Sequence, residues 1–197
     1  MELERDSSII LPSEYGNMIF EYFTFGSERM LVVKSEKNQK SDKALVRIHS
    51  GCIFSEVFKT YDCDCSLQLE LALSLIQQNK NAYIFYLFQE GRGKGIQFKM
   101  RAIEKQQKEN LDTYSAYCSL GSKPDVRDYN IVVAFLKQEK IKKVELITNN
   151  PERLSVIRNE GIEVYRSKHI VTPNNNNSEY LREKARVFNH IVNLNNS

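Results

Sequence analysis

Three of the chain's four cysteines, Cys52, Cys63 and Cys65, fall in one stretch, RIHSGCIFSEVFKTYDCDC from Arg47 to Cys65. If they serve one centre, the loop between Cys52 and Cys63 must fold back, and the segments flanking it are pinned together. No other feature restricts the fold as much. Thiolate is the softest side-chain ligand. Three of them leave a fourth tetrahedral position open, which distinguishes a catalytic zinc site from a closed structural one. The C-x-C pair cannot fill a tetrahedron without help, and Cys52 supplies it from upstream. The competing reading is a set of unrelated buried thiols. His49 reads either as a fourth ligand that closes the site or as a residue behind the ligands that leaves it open.

Composition bears on where such a centre could work. Of 197 residues, 41% are hydrophobic and 27% charged, as in an ordinary globular protein. A net charge of +3 is too small to argue for a nucleic-acid partner. The opening MELERDSSII has no apolar core of a signal peptide, and no apolar run approaches the ~18 residues of a membrane span. The expectation is therefore a cytoplasmic protein, without nucleic-acid or membrane partners. There, clustered cysteines bind metal or catalyse rather than form disulfides. Cys118 stands apart and reads as a small, semi-buried thiol.

The pattern along the chain predicts an α/β fold of α+β character. A β-rich N-terminal part is followed by alternating strands and helices, in one domain over residues 1–197. Strands are expected at Met18–Phe25, Met30–Lys34 and Ala44–His49. A helix over Ser66–Asn79 carries Leu67, Leu71 and Leu75 at a spacing of four, beside Leu69, Leu73 and Ile76. It reads as having a wide buried face, with Asp64 or Ser66 as cap. Its N-terminal dipole favours thiolate at Cys63 and Cys65. Ala82–Phe88 is apolar on both faces and reads as a buried strand. Helices follow over Gln97–Glu109 and Asp128–Glu139, strands over Lys143–Thr148 and Ile162–Tyr165. Pro151 suits the first turn of a helix after Thr148-Asn149-Asn150. An Asn-rich turn, Asn174–Asn177, precedes a last helix from Glu179 to about Asn193.

Three further constellations have two readings each. Gln89-Glu90-Gly91-Arg92-Gly93-Lys94-Gly95 lets backbone amides and cations approach phosphate, or is a plain strand-to-helix turn. It is neither a Walker A loop nor G-x-G-x-x-G. Asp125-Val126-Arg127-Asp128 pairs acids with an arginine, or is a charged helix start. Thr148-Asn149-Asn150-Pro151-Glu152-Arg153 lies at a strand end, where α/β sheets often bind ligands, or is a polar turn.

In order, R-x-H-S-x-C, C-D-C, Q-E-G-R-G, D-T, L-G-x-x-x-D-x-R-D-Y and T-N-N-P resemble GTP cyclohydrolase II, over about Leu11 to Asn189. The resemblance implies opening of the imidazole ring of GTP at C8, with release of formate and pyrophosphate, for riboflavin synthesis. It implies one zinc per chain on Cys52, Cys63 and Cys65, and magnesium with the substrate triphosphate. Arg47, His49, Gln68, Glu90, Gly91, Arg92, Thr113, Thr148 and Arg153 become nucleotide contacts. Asp125 becomes a general base, and Arg127 a nucleophile at the α-phosphate or a stabiliser of the transferring phosphoryl group. A homodimer is implied, with GTP or a close purine nucleotide as substrate.

The chain departs from the family pattern at five positions. Gly51 stands where the family has Glu, Ser66 where it has Gly, Tyr117 where it has Asn, and Arg153 where it has Lys. Ile103 replaces a tyrosine associated with the hydrolytic chemistry. Isoleucine cannot donate a proton or orient water. A variant that retains the formyl group and yields a formamidopyrimidine nucleotide is one alternative, and a changed purine substrate another. A non-catalytic zinc- and nucleotide-binding paralogue and a purely structural zinc module are the others. The first of these two fits poorly with the three cysteines, Asp125 and Arg127 together. The second leaves the Glu90 loop unexplained.

Overall fold

Branched and aromatic side chains dominate the first fifty positions and pair there as antiparallel strands. The structure, a computed structural model, describes residues 1–123 and 125–167, together with Arg182, Ala185 and Arg186. The expected Asn-rich turn and the rest of the last helix lie outside the described residues.

Seven strands form one mixed sheet among these residues: β1 (Leu3–Leu11), β2 (Met18–Phe25), β3 (Glu28–Ser35), β4 (Lys43–Ser50), β5 (Ala82–Leu87), β6 (Lys143–Ile147) and β7 (Glu163–Ser167), in the order β1-β2-β3-β5-β4-β6-β7. β1 to β3 and β5 pair antiparallel, for example Glu21 with Val32 and Val32 with Phe85. β4, β6 and β7 run parallel, with Leu45 opposite Glu145 and Glu145 opposite Tyr165. The α/β class with a β-rich start is therefore correct. β1 was not expected. It is an edge strand, exposed at every residue after Leu3, so burial imposed no alternation for a sequence reading to find.

The helices are α1 (Ile53–Glu56), α2 (Cys65–Gln78), α3 (Ile96–Glu109), α4 (Thr113–Ser119), α5 (Asn130–Gln138) and α6 (Pro151–Asn159). The sequence patterns located all but the short α1 and α4. Asn150 caps α6 by accepting the Glu152 N–H at 2.9 Å, and Pro151 occupies the first turn as expected.

By contacts, the chain falls into two compact units. The first comprises Met1–His49, Leu67–Phe88 and the chain from Tyr129 through β7. The second comprises Ser50–Ser66, Gln89–Asp128 and the described residues of the last helix.

The sheet and its covering helices make the first unit. Alternate residues of each inner strand serve opposite faces. Met30 and Val32, Val46 and Ile48, Phe85 and Leu87 pack with Ile131, Phe135 and Leu136 of α5 and Ile157 of α6. Leu31, Val33, Leu45 and Ile84 pack against Leu69, Ala72, Leu73 and Ile76 of α2. This explains why Ala82–Leu87 is apolar throughout. The buried stripe of α2 is thus narrower than the leucine spacing suggested: Leu67 is exposed, and Leu71 and Leu75 are only half-buried.

The second unit has a much smaller apolar cluster. Ala102 of α3 packs with Ala116 and Tyr117 of α4, and Phe98, Leu111 and Leu120 surround them. No helix among the described residues is long and apolar enough to cross a membrane.

Candidate active site

The loop after β4 does fold back. Cys52 is the extended residue before the single turn α1, and its N–H donates to Glu56 Oε1 at 2.8 Å. Ser55, buried beneath that turn, accepts the Ser66 N–H at 3.0 Å and so ties α1 to the start of α2. Cys63 and Cys65 are thereby returned to Cys52. The Cys52 and Cys63 sulfurs lie 3.7 Å apart, and all three sulfurs lie within 4.8 Å of one another. A tetrahedral zinc with bonds of about 2.3 Å separates its sulfur ligands by about 3.8 Å. The donor set therefore fits zinc in number and chemistry, and the Cys52–Cys63 separation fits it in spacing. Hydrogen bonds from Cys63 and then Cys65, with a contribution from Lys99, hold the Cys52 thiol far below its ordinary range. The same bond to Cys52 pushes Cys63 up. His49 belongs to the first unit, where its ring stacks on Tyr86 at 5.6 Å.

The glycine-rich loop follows β5 and forms a single 3-10 turn over Gly91–Gly93. Glycine is required at Gly93. Its φ is +89°, and a Cβ there would approach Val126 Cγ2 to 3.2 Å and the Arg127 nitrogen to 3.3 Å. The loop consequently packs against the segment carrying Asp125 and Arg127, and the Val126 N–H donates to the Arg92 carbonyl at 3.2 Å. Arg92 itself adopts a left-handed conformation, with φ 55° and ψ 36°, a strained choice for a non-glycine residue. Its guanidinium stands 5.8 Å from the centre of the Tyr117 ring. Glu90 does not project freely. Oε1 accepts from Lys99 at 2.7 Å, and Oε2 accepts the Ile53 N–H at 2.8 Å.

Asp125 and Arg127 form a forked ion pair. Arg127 Nε donates to Oδ1 at 2.9 Å and Oδ2 at 3.1 Å, and Nη2 also donates to Oδ2. Burial works to raise the Asp125 carboxyl. The Arg127 hydrogen bonds and charge, with the charge of Arg92, overcome it and hold the group below the ordinary carboxylate range.

These elements surround a cavity of about 920 Å³ within the second unit. Cys52, Cys63, Cys65, Glu90, Gly91, Arg92, Thr113 and Arg127 all line it. Gly51, Ile103 and Tyr117, three of the five departures, line it as well. The Thr113 hydroxyl accepts from Gln106 at 3.1 Å. Cys118 is exposed rather than semi-buried, because α4 turns Ala116 and Tyr117 inward instead. Sequence reasoning missed Lys99, Arg182 and Arg186, which also line the cavity. Their contacts join positions remote in the chain, and no local spacing announces them.

The other expected residues lie in the first unit: Arg47 on β4, Gln68 on α2, Thr148 just after β6 and Arg153 on α6. Arg47 is buried on β4 and donates to the Ile147 carbonyl at 3.1 Å and to the Gln68 side chain. Thr148 is buried, and its hydroxyl accepts the Asn150 N–H at 3.0 Å. Arg153 donates to the Ile48 carbonyl at 2.9 Å and to the Tyr129 hydroxyl at 3.2 Å. Two separate nitrogens of the planar guanidinium serve the two acceptors. Arg166, also missed, donates to the Thr148 carbonyl at 3.0 Å.

A gathered set of three thiols, a basic glycine loop and a braced arginine around one cavity make a centre suited to a metal ion and an anionic ligand. The sequence model for GTP cyclohydrolase II matches residues 4–169, and the chain belongs to that family. It is 35% identical over 190 residues to the GTP cyclohydrolase-2 of Haemophilus influenzae, covering 94% of this chain and 88% of that one. It is 33% identical over 194 residues to the riboflavin biosynthesis protein RibBA of Cytophaga hutchinsonii, and 35% identical over 192 residues to the RibBA of Porphyromonas gingivalis. These matches cover 96% and 95% of this chain and 47% of each relative, so the chain spans about half the length of the RibBA proteins it matches.

Proposed function

We propose that the protein is a zinc-dependent hydrolase that opens the imidazole ring of GTP at C8 and releases formate and pyrophosphate, as a step of riboflavin biosynthesis. The observation that carries this is the convergence of the Cys52, Cys63 and Cys65 sulfurs, within 4.8 Å of one another, in the wall of a cavity also lined by Arg92 and Arg127. Family membership supports GTP as the substrate. Cys52, Cys63 and Cys65 would hold the zinc, which would supply Lewis acidity and an activated water.

The chain's own residues do the rest. Arg92 and Arg127 bring positive charge to the cavity wall, suited to a triphosphate carrying magnesium. A guanidinium does not deprotonate in proteins, and Asp125 grips Arg127 through its fork. Arg127 therefore acts as a stabiliser of the transferring phosphoryl group, with Asp125 as its brace rather than as a base. On the family resemblance, Arg47, His49, Gln68, Thr148 and Arg153 are assigned to nucleotide binding, and the enzyme works as a homodimer.

A second reading has one observation in its favour. Ile103 lines the cavity, and a side chain without a hydroxyl there favours retention of the formyl group, giving a formamidopyrimidine nucleotide. Incubation with GTP, zinc and magnesium separates the readings. Formate equal to GTP consumed supports the full reaction, and a product mass retaining the formyl carbon supports the second. Bound GTP unchanged after prolonged incubation would sink both.

A further inference from the structure

Lys99 on α3 joins the thiol cluster to the glycine-rich loop. Its Nζ lies 3.1 Å from Cys52 Sγ and 2.7 Å from Glu90 Oε1. The second Glu90 oxygen accepts the N–H of Ile53, the residue bonded to Cys52. Lys99 to Cys52, Cys52 to Ile53, Ile53 to Glu90 and Glu90 back to Lys99 form a closed ring of contacts. The two side chains are well sheltered, at 16% and 19% exposure, and the ammonium sits 5.0 Å from the centre of the Phe54 ring. A surface ion pair would contribute little. A sheltered ammonium with one donor on a carboxylate and another on a sulfur fixes where that sulfur stands.

We propose that Lys99, anchored by Glu90, is a positioning residue for the metal ligand Cys52, holding its sulfur at the cluster and donating a charged hydrogen bond to it. The proposal rests on the reading of the three cysteines as zinc ligands. Three thiolates on a divalent ion carry a net negative charge, and Lys99 supplies the compensating positive one in a half-buried setting. Groups behind metal ligands orient them and set their electron density. Both Glu90 oxygens are engaged in the ring, so Glu90 acts first on the metal loop and only through it on a nucleotide.

The test uses the full chain and two probes, zinc in competition with a chromophoric chelator and cobalt(II) by absorption. Lys99→Met keeps most of the unbranched apolar stem and removes the charge and the donors. Its zinc dissociation constant is expected to rise about 10- to 100-fold, and its sulfur-to-cobalt charge-transfer band to shift. Lys99→Arg restores a donor and a charge, and is expected to return zinc affinity to within about threefold of the unaltered protein. Zinc affinity and a cobalt band in Lys99→Met equal to those of the unaltered protein would overturn the proposal, as would a loss that Lys99→Arg leaves wholly unrescued. If Lys99→Met does not fold, Glu90→Gln decides: it keeps an acceptor for Ile53 and loosens Lys99. An unmoved cobalt band there overturns the proposal, and a shifted one supports it. An unaltered protein that takes up neither metal overturns the zinc reading itself, a result distinct from any of these.

Discussion

Asp125 and Arg127 show how one contact sets a residue's chemical role. The fork between them keeps the carboxylate ionised, since its protonation would give up the Arg127 hydrogen bonds. The sign follows: a carboxyl held below its unfolded value contributes stability above the ordinary carboxylate pKa of about 4 and loses it as pH falls through the lowered folded value. The Asp125 carboxyl resonance in a carbon-13 pH titration is therefore expected to stay ionised down to or below that range. A midpoint near neutrality would identify a general base and refute the brace. Asp125→Asn removes the charge while leaving a polar partner. Pyrophosphate release from GTP is expected to fall roughly 100-fold, the scale of losing one preorganised donor in a hydrolytic site. Zinc affinity should stay unchanged, because Asp125 does not touch the cysteines. Isothermal titration with zinc alongside the rate assay checks both halves.

Among the elements, the glycine-rich loop and the segment from Asp125 to Asp128 behave as one packed piece. A methyl group at Gly93 would stand 3.2 Å from Val126 Cγ2 and 3.3 Å from the Arg127 nitrogen, so these neighbours must give by a few tenths of an ångström, while Gly121, at φ +73°, has no neighbour within 4 Å of where a Cβ would stand. Gly121→Ala should cost about 1–2 kcal/mol, the conformational penalty alone. Gly93→Ala adds a clash with Val126 and Arg127, so its cost should be larger by about 1–3 kcal/mol, with activity reduced because Arg127 moves. Denaturant unfolding of the two variants, read beside the rate, tests this; equal losses would mean that the loop and the Asp125 segment do not depend on each other. The strands from β2 to β6 were legible because both sheet faces are buried and demand apolar or β-branched residues. The α4 helix was not, being a short run, TYSAYCS, with only Ala116 and Tyr117 buried, and the true core stripe of α2 was masked by leucines that border it.

Across the whole molecule, stability is unevenly distributed. The first unit has an apolar cluster on each face of a sheet, while the second has one small cluster and the cysteine site. Metal binding to a folded site adds directly to the stability of what surrounds it. Chelation should accordingly lower hydrogen-exchange protection in α3 and α4 and leave β3 to β6 protected. A uniform loss across both units would contradict this, as would none at all. The sequence by itself determined the order of the strands from β2 onward and of the longer helices, because local periodicity reports which residues must be buried. It also determined the three thiols as a set, because C-x-C with an upstream cysteine is a chemical pattern written in the chain. Tertiary structure alone decided that Lys99 meets Cys52 across 47 positions, that Arg47 reaches Ile147 across 100, and that Arg153 reaches Ile48 across 105. The physical reason is that such partners are chosen by how sheets and helices pack, a long-range geometry of which the residues between them carry no trace.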